Sequence, residues 1–242
     1  MECQDQSEYE LRCEWGEHGV AQLAPISDVV VIVDVLSFST SVEIATNNGA
    51  ILFPYRWRDE SAAEYALSVN AELASRKRTA GNGYSLSPTS LLNIPAGTRL
   101  VLPSPNGASL TLRTGQTLTL AGCLRNCEAV AQFCSKLGKI AVIPAGERWD
   151  DGSLRPAIED LIGAGAILSS LTGRLSPEAE VAVAAFRNLK DHLVTVLRNC
   201  SSGKELIAKG FASDVELAAA INLSHCVPLF AHNAYVKQES RN

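Results

Sequence analysis

The run Val29–Val33, VVVIV, constrains the fold more than any other feature of the chain: five consecutive β-branched residues lead into an acid at Asp34. Such side chains favour the pleated strand, and an apolar run without polar alternation suits a strand covered on both faces. Strands of this kind belong to sheets flanked by helices, so an α/β fold is expected, layered, with a largely parallel or mixed sheet and helices on both faces. A carboxylate at the end of such a strand is costly unless it meets a cation or several donors.

The rest of the chain repeats the alternation. Strands are expected at Asp28–Val35, Ala50–Tyr55, Thr98–Leu102, Thr117–Ala121, Lys139–Ile143 and Val227–Ala231. Ala62, Ala66, Val69 and Leu73 recur at helical steps, as do Val130, Phe133, Cys134 and Leu137. Later helices are expected at Pro156–Leu171, Pro177–Leu197 and Asp214–Leu223. Between residues 77 and 97 periodicity gives way to GNGYSLSPTSLLNIPAG, which reads as a long loop or lid. At 242 residues the chain is long enough for one unit over 1–242 or for two lobes.

Composition narrows the function classes. With 46% apolar and 19% charged residues there is material for a large core. Twenty-one basic against twenty-six acidic residues give a net charge of −5 and no basic stripe, which argues against nucleic acid as a partner. No apolar run reaches the roughly 18 residues of a membrane span, and MECQDQSEYELRCEW has acids where a secretory signal has a basic region. A cytoplasmic protein without membrane contact is expected. The seven cysteines are an odd, scattered set and read as buried, reduced thiols. Ala-rich helices such as VAVAAF suit a homodimer interface and a core helix equally.

Four groups of polar residues follow strand candidates. Asp34 is succeeded by Ser37, Ser39, Thr40 and Ser41, which open a helix and offer hydroxyls and amide N–H groups to an anion. Ser104-Pro105-Asn106-Gly107 reads as a capped helix start whose Asn106 and Gly107 N–H groups could face a ligand. Arg125 supplies a planar charge suited to an oxyanion, with Asn126 as a cap. Glu147 is followed by Glu159 and Asp160, and Asp160 shares a helix face with Ala164, Ile167 and Leu171. In a parallel sheet these groups would gather at one carboxyl edge. Asp34, Glu147, Glu159 and Asp160 could then hold a hard cation such as Mg2+, beside donors for a small phosphorylated anionic substrate.

At these residues the sequence resembles the 2-phosphosulfolactate phosphatase family, from about Val29 to Phe230. The resemblance rests on VDVLSFSTSVEIA, the NGA that follows it, GNGYSLSP, LPSPNGASL, GCLRNCEAVA, IPAGER, IEDLIGAGAI and GFASDVELA. Related sequences read more like DVLRATTT, TTNGT and CAG in three of these segments, so Ser37 stands where Arg is common and Ser104-Pro105 where two Thr are common. The resemblance implies a magnesium-dependent phosphatase acting on the phosphomonoester of a small anionic hydroxy acid. Asp34 and Asp160 are then the expected catalytic acids. Attack by a metal-activated water is favoured over an aspartyl-phosphate at Asp34, because haloacid-dehalogenase-type phosphatases carry a second acid two residues on, where this chain has Leu36. The rival reading is a non-catalytic protein that binds or senses a small anion. It gives no reason for placing several carboxylates beside the ligand.

Overall fold

The Val29–Val33 run forms a strand whose residues are all fully buried. Val29, Val31 and Val33 pack into one apolar cluster, while Val30 and Ile32 pack into another on the opposite face. The computed structural model describes residues 6–56, 59–78 and 83–238. Its strands are β1 (Leu11–Cys13), β2 (Val29–Val33), β3 (Ile51–Tyr55), β4 (Glu72–Leu73), β5 (Arg99–Pro103), β6 (Leu118–Gly122), β7 (Ile140–Pro144), β8 (Glu147–Arg148), β9 (Leu154–Arg155), β10 (Pro228–Ala231) and β11 (Ala234–Lys237). The α-helices are α1 (Gly16–Leu23), α2 (Phe38–Asn47), α3 (Ser61–Ser68), α4 (Gly107–Thr111), α5 (Cys127–Cys134), α6 (Ile158–Leu168), α7 (Pro177–Leu189), α8 (Leu193–Asn199), α9 (Ser201–Ala208) and α10 (Ala212–Ala218). None of the described helices is long and apolar enough to cross a membrane.

Nine strands form one mixed sheet in the order β1-β7-β2-β6-β10-β11-β3-β5-β4, and β8 pairs with β9 in a separate ribbon. The β1-β7-β2-β6 and β3-β5-β4 blocks are each parallel. Between them the β10–β11 hairpin pairs antiparallel to β6 on one side and to β3 on the other. The two blocks are therefore opposed in formal direction, and a single parallel carboxyl edge does not exist. The ends of β2 and β5 meet all the same, since the Gly107 amide reaches Asp34 at 2.9 Å. Five pairing steps separate β2 from β5, and at roughly 20–25° of twist per step the strand axis turns by about 100–125°.

The helix α2 packs against β6, β10, β11 and β3 of this sheet, and every residue from Phe38 to Thr46 is buried. Its many hydroxyls are satisfied by carbonyls: Ser41 Oγ donates to Leu86 O and Thr46 Oγ1 to Val42 O. Several boundaries differ from the sequence pattern. Leu73 belongs to β4 rather than to the preceding helix, and the expected helix 177–197 divides into α7, a 3-10 turn at Lys190–His192 and α8. In the 77–97 stretch, residues 79–82 lie outside the described residues. From Gly83 onward it holds a 3-10 turn, Pro88–Leu91, with Ser85, Ser87, Leu91 and Ile94 buried.

Candidate active site

Asp34 follows β2 directly and is buried. Its Oδ1 accepts the Phe38 amide at 3.0 Å and its Oδ2 the Gly107 amide at 2.9 Å. A Cβ at Gly107 would collide with the Phe38 ring and stand 2.9 Å from Asp34 Oδ2, so only glycine permits this approach. Asp160, in the first turn of α6, is built alike: Oδ1 accepts the Val35 amide at 2.7 Å and Oδ2 the Gly146 amide at 2.9 Å. Val35 and Gly146 are the chain neighbours of Asp34 and Glu147. Asp160 thus fixes the backbone that carries both acids. Glu147 in turn accepts from Asn106 Nδ2 at 2.9 Å.

Burial raises Asp34 above the ordinary carboxylate range, against the opposing pull of the Phe38 and Gly107 amides and the Arg78 charge. Asp160 is held well above that range by burial and by the nearby charges of Asp34 and Glu159. Glu147 is pushed up to about 7, by burial first and then by the charge of Asp34. Asp34 and Glu159 thus raise both Glu147 and Asp160, a concentration of negative charge that suits a positive ion.

Asp34, Ser37, Ser104, Asn106 and Glu147 line one pocket of about 230 Å³. Arg78 and Lys209 line it too, with Ser202 and Leu206 of α9. A larger cavity of about 670 Å³, between Phe133, Leu137, Val227 and Leu229, contains none of the acids. Chemistry rather than size therefore identifies the site.

Other expected site residues are engaged within the fold. Ser39 Oγ donates to Ile32 O and accepts the Asp34 amide, while Thr40 Oγ1 donates to Val35 O, so neither hydroxyl faces a ligand. The Gly107 N–H is taken by Asp34, and α4 is only five residues long. Arg125 Nε meets Glu43 Oε2 at 2.6 Å, so the guanidinium answers a buried carboxylate of the fold rather than the oxyanion expected for it. Asn126 is a structural cap, accepting the Cys123 amide and donating to Cys226 O. Glu159 is buried beside the Cys200 thiol, and neither it nor Asp160 lines the pocket. Among the described residues no three Asp, Glu, His or Cys side chains are grouped to hold a metal; of the four expected acids Asp34 and Glu147 line the pocket, and Glu205, paired with Lys209, lines it as well.

Sequence reasoning missed Arg78 and Lys209. Arg78 lies in the RKR of a stretch without periodicity, and Lys209 follows α9, whose apolar positions are too few to mark a helix. The six described cysteines are free and buried, as the sequence suggests, and Cys3 lies outside the described residues.

Comparison with known proteins gives the same direction. The family model described as 2-phosphosulpholactate phosphatase matches residues 18–233. The 2-phosphosulfolactate phosphatase of Methanothermobacter thermautotrophicus is 30% identical over 208 residues, covering 84% of this chain and 87% of that protein. A probable 2-phosphosulfolactate phosphatase of Pseudothermotoga lettingae is 26% identical over 220 residues, covering 88% and 95%. One from Carboxydothermus hydrogenoformans is 30% identical over 209 residues, covering 82% and 84%. With a family model spanning the acids, the pocket and seven of the nine strands of the main sheet, the chain belongs to the 2-phosphosulpholactate phosphatase family.

Proposed function

We propose that this chain is a magnesium-dependent phosphatase that hydrolyses the phosphomonoester of a small anionic hydroxy acid. The observation that carries this reading is the shared pocket: the buried Asp34 and the half-buried Glu147 face the same small polar space as Arg78 and Lys209. Its volume of about 230 Å³ suits a substrate of a few carbons. Membership of the family and the names of its relatives support phosphate-ester hydrolysis.

The donor set fits magnesium. This ion takes one or two protein carboxylates and completes its shell with water and phosphate oxygens, so Asp34 and Glu147 suffice. When bound it supplies Lewis acidity toward phosphoryl oxygens and an acidified water. The chain's own residues do the positioning. Asp160 sets the backbone of both acids, and Asn106 holds the Glu147 carboxylate. Ser104 contributes a hydroxyl to orient the phosphoryl group. Both Asp34 oxygens accept amide N–H bonds, which spreads the carboxylate charge and favours water over Asp34 as the nucleophile. Buried free thiols support a reducing, cytoplasmic setting.

The test is release of free phosphate from a panel of small phosphorylated acids, with magnesium and with a chelator. Magnesium-dependent release from a phosphorylated hydroxy acid is expected. No release from any member at saturating magnesium would overturn the reading, and tight binding without release would mark an anion-binding protein instead.

A further inference from the structure

The cationic side of the pocket is built with as much care as the acidic side. Asp214, in the first turn of α10, is fully buried. It accepts from Arg78 Nη1 at 3.0 Å, from Ser87 Oγ at 2.6 Å, and from the amide and hydroxyl of Thr89. Arg78 Nη2 also donates to Ser37 Oγ at 2.9 Å, and the guanidinium lies 6.0 Å from the centre of the Phe211 ring. The start of α10 and the residue before α2 thus fix one planar cation at the pocket wall. A buried carboxylate is expensive to maintain, and here it holds an arginine in register where a surface arginine would sample many rotamers. Lys209 reaches the same pocket from the end of α9, in an exposed pair with Glu205 at 3.5 Å. Such a solvent-side pair is weak and exchanges readily for another acid.

We propose that Arg78 and Lys209 form a subsite for an acidic group of the substrate remote from its phosphoester, with Asp214 as the positioning residue for Arg78. This rests on the phosphatase reading above, in which the phosphoryl group goes to the magnesium that Asp34 and Glu147 would hold. With the metal end taken by the phosphoryl group, an acidic substituent is drawn to the two cations on the remaining wall, where Glu205 is already paired with Lys209. The subsite therefore selects phosphorylated acids over phosphate esters of neutral alcohols.

The test compares 2-phosphosulfolactate, which carries remote acids, with 4-nitrophenyl phosphate, which carries none. Arg78→Ala should raise KM for the first by about 10- to 150-fold, a loss at least about fivefold larger than on the second. Added guanidinium should restore part of the loss. Lys209→Ala, at an exposed position that does not endanger folding, should raise KM for the first substrate alone. Asp214→Asn should raise the same KM in the wild type but have little further effect in Arg78→Ala, the non-additivity expected of a residue acting through its partner. Equal losses on both substrates, or no change in either variant, would overturn the proposal. If the wild-type protein hydrolyses neither ester, the phosphatase reading fails and calorimetric binding of sulfolactate decides the subsite. Binding at least tenfold weaker in Arg78→Ala supports it, and equal affinity refutes it.

Discussion

Asp34 and Asp160 each bind two amides through opposite oxygens, so Asn at either position removes an acceptor as well as a charge. Both changes should destabilise the protein by about 1–3 kcal/mol, the cost of leaving a buried N–H without its partner. They should differ in catalysis. Asp34→Asn should abolish magnesium-dependent phosphate release, whereas Asp160→Asn should weaken magnesium affinity by about 10- to 100-fold and recover rate when magnesium is raised. A loss in Asp160→Asn that magnesium does not relieve would place Asp160 on the cation itself. Arg125→Ala leaves Glu43 buried without its cation, and among the described residues Glu43 Oε1 already has no hydrogen-bond partner. It should cost about 3–5 kcal/mol in urea unfolding while leaving the preference between acid-bearing and plain phosphate esters unchanged. A selective rise in KM for the acid-bearing ester would return Arg125 to the substrate. These cases show how much of the site was legible. A buried acid announces itself after VVVIV, because its neighbours settle its surroundings. A donor such as Ser39, Thr40 or Arg125 looks available in sequence, since the carbonyl or carboxylate that takes it is remote in the chain or hidden in the fold.

At the scale of elements, the junction of β5 and α4 is what brings Asn106 to Glu147 and the Gly107 amide to Asp34. Gly107→Ala should push Phe38 and Asp34 apart, lowering both thermal stability and magnesium affinity. Unchanged magnesium affinity in a folded Gly107→Ala protein would show that the approach is not needed to shape the site. The strand β2 was legible because five β-branched residues leave few alternatives. The β11 strand was not. Its turn is His232-Asn233, both at positive φ, a hairpin geometry more often signalled by Asn-Gly. Missing that hairpin also hid the reversal of the second parallel block. The meeting of the β2 and β5 ends was thus anticipated from a parallel edge, whereas cumulative twist across a mixed sheet accounts for it.

For the whole molecule, the pocket acids link stability to pH and to cation binding. Glu147 is raised to about 7, and Asp34 and Asp160 are raised as well, each chiefly by burial. A carboxyl whose folded pKa exceeds its unfolded value favours folding while protonated. That contribution is fully present below the unfolded pKa, near 4, and is lost as pH rises through the folded value. In a chelator, Tm should therefore fall between about pH 5 and 8, and Glu147→Gln should flatten the slope by removing the group that titrates near 7. Magnesium favours the ionised carboxylates, so its stabilisation should be small at pH 5 and grow toward pH 8. At a concentration 100 times its Kd it contributes about 2.7 kcal/mol, or roughly 5–10 °C for a chain of this size. Melting curves at several pH values, with and without magnesium, for the wild-type protein and Glu147→Gln, measure both effects together. A magnesium shift independent of pH, or one undiminished in Glu147→Gln, would mean that the cation binds away from Asp34 and Glu147.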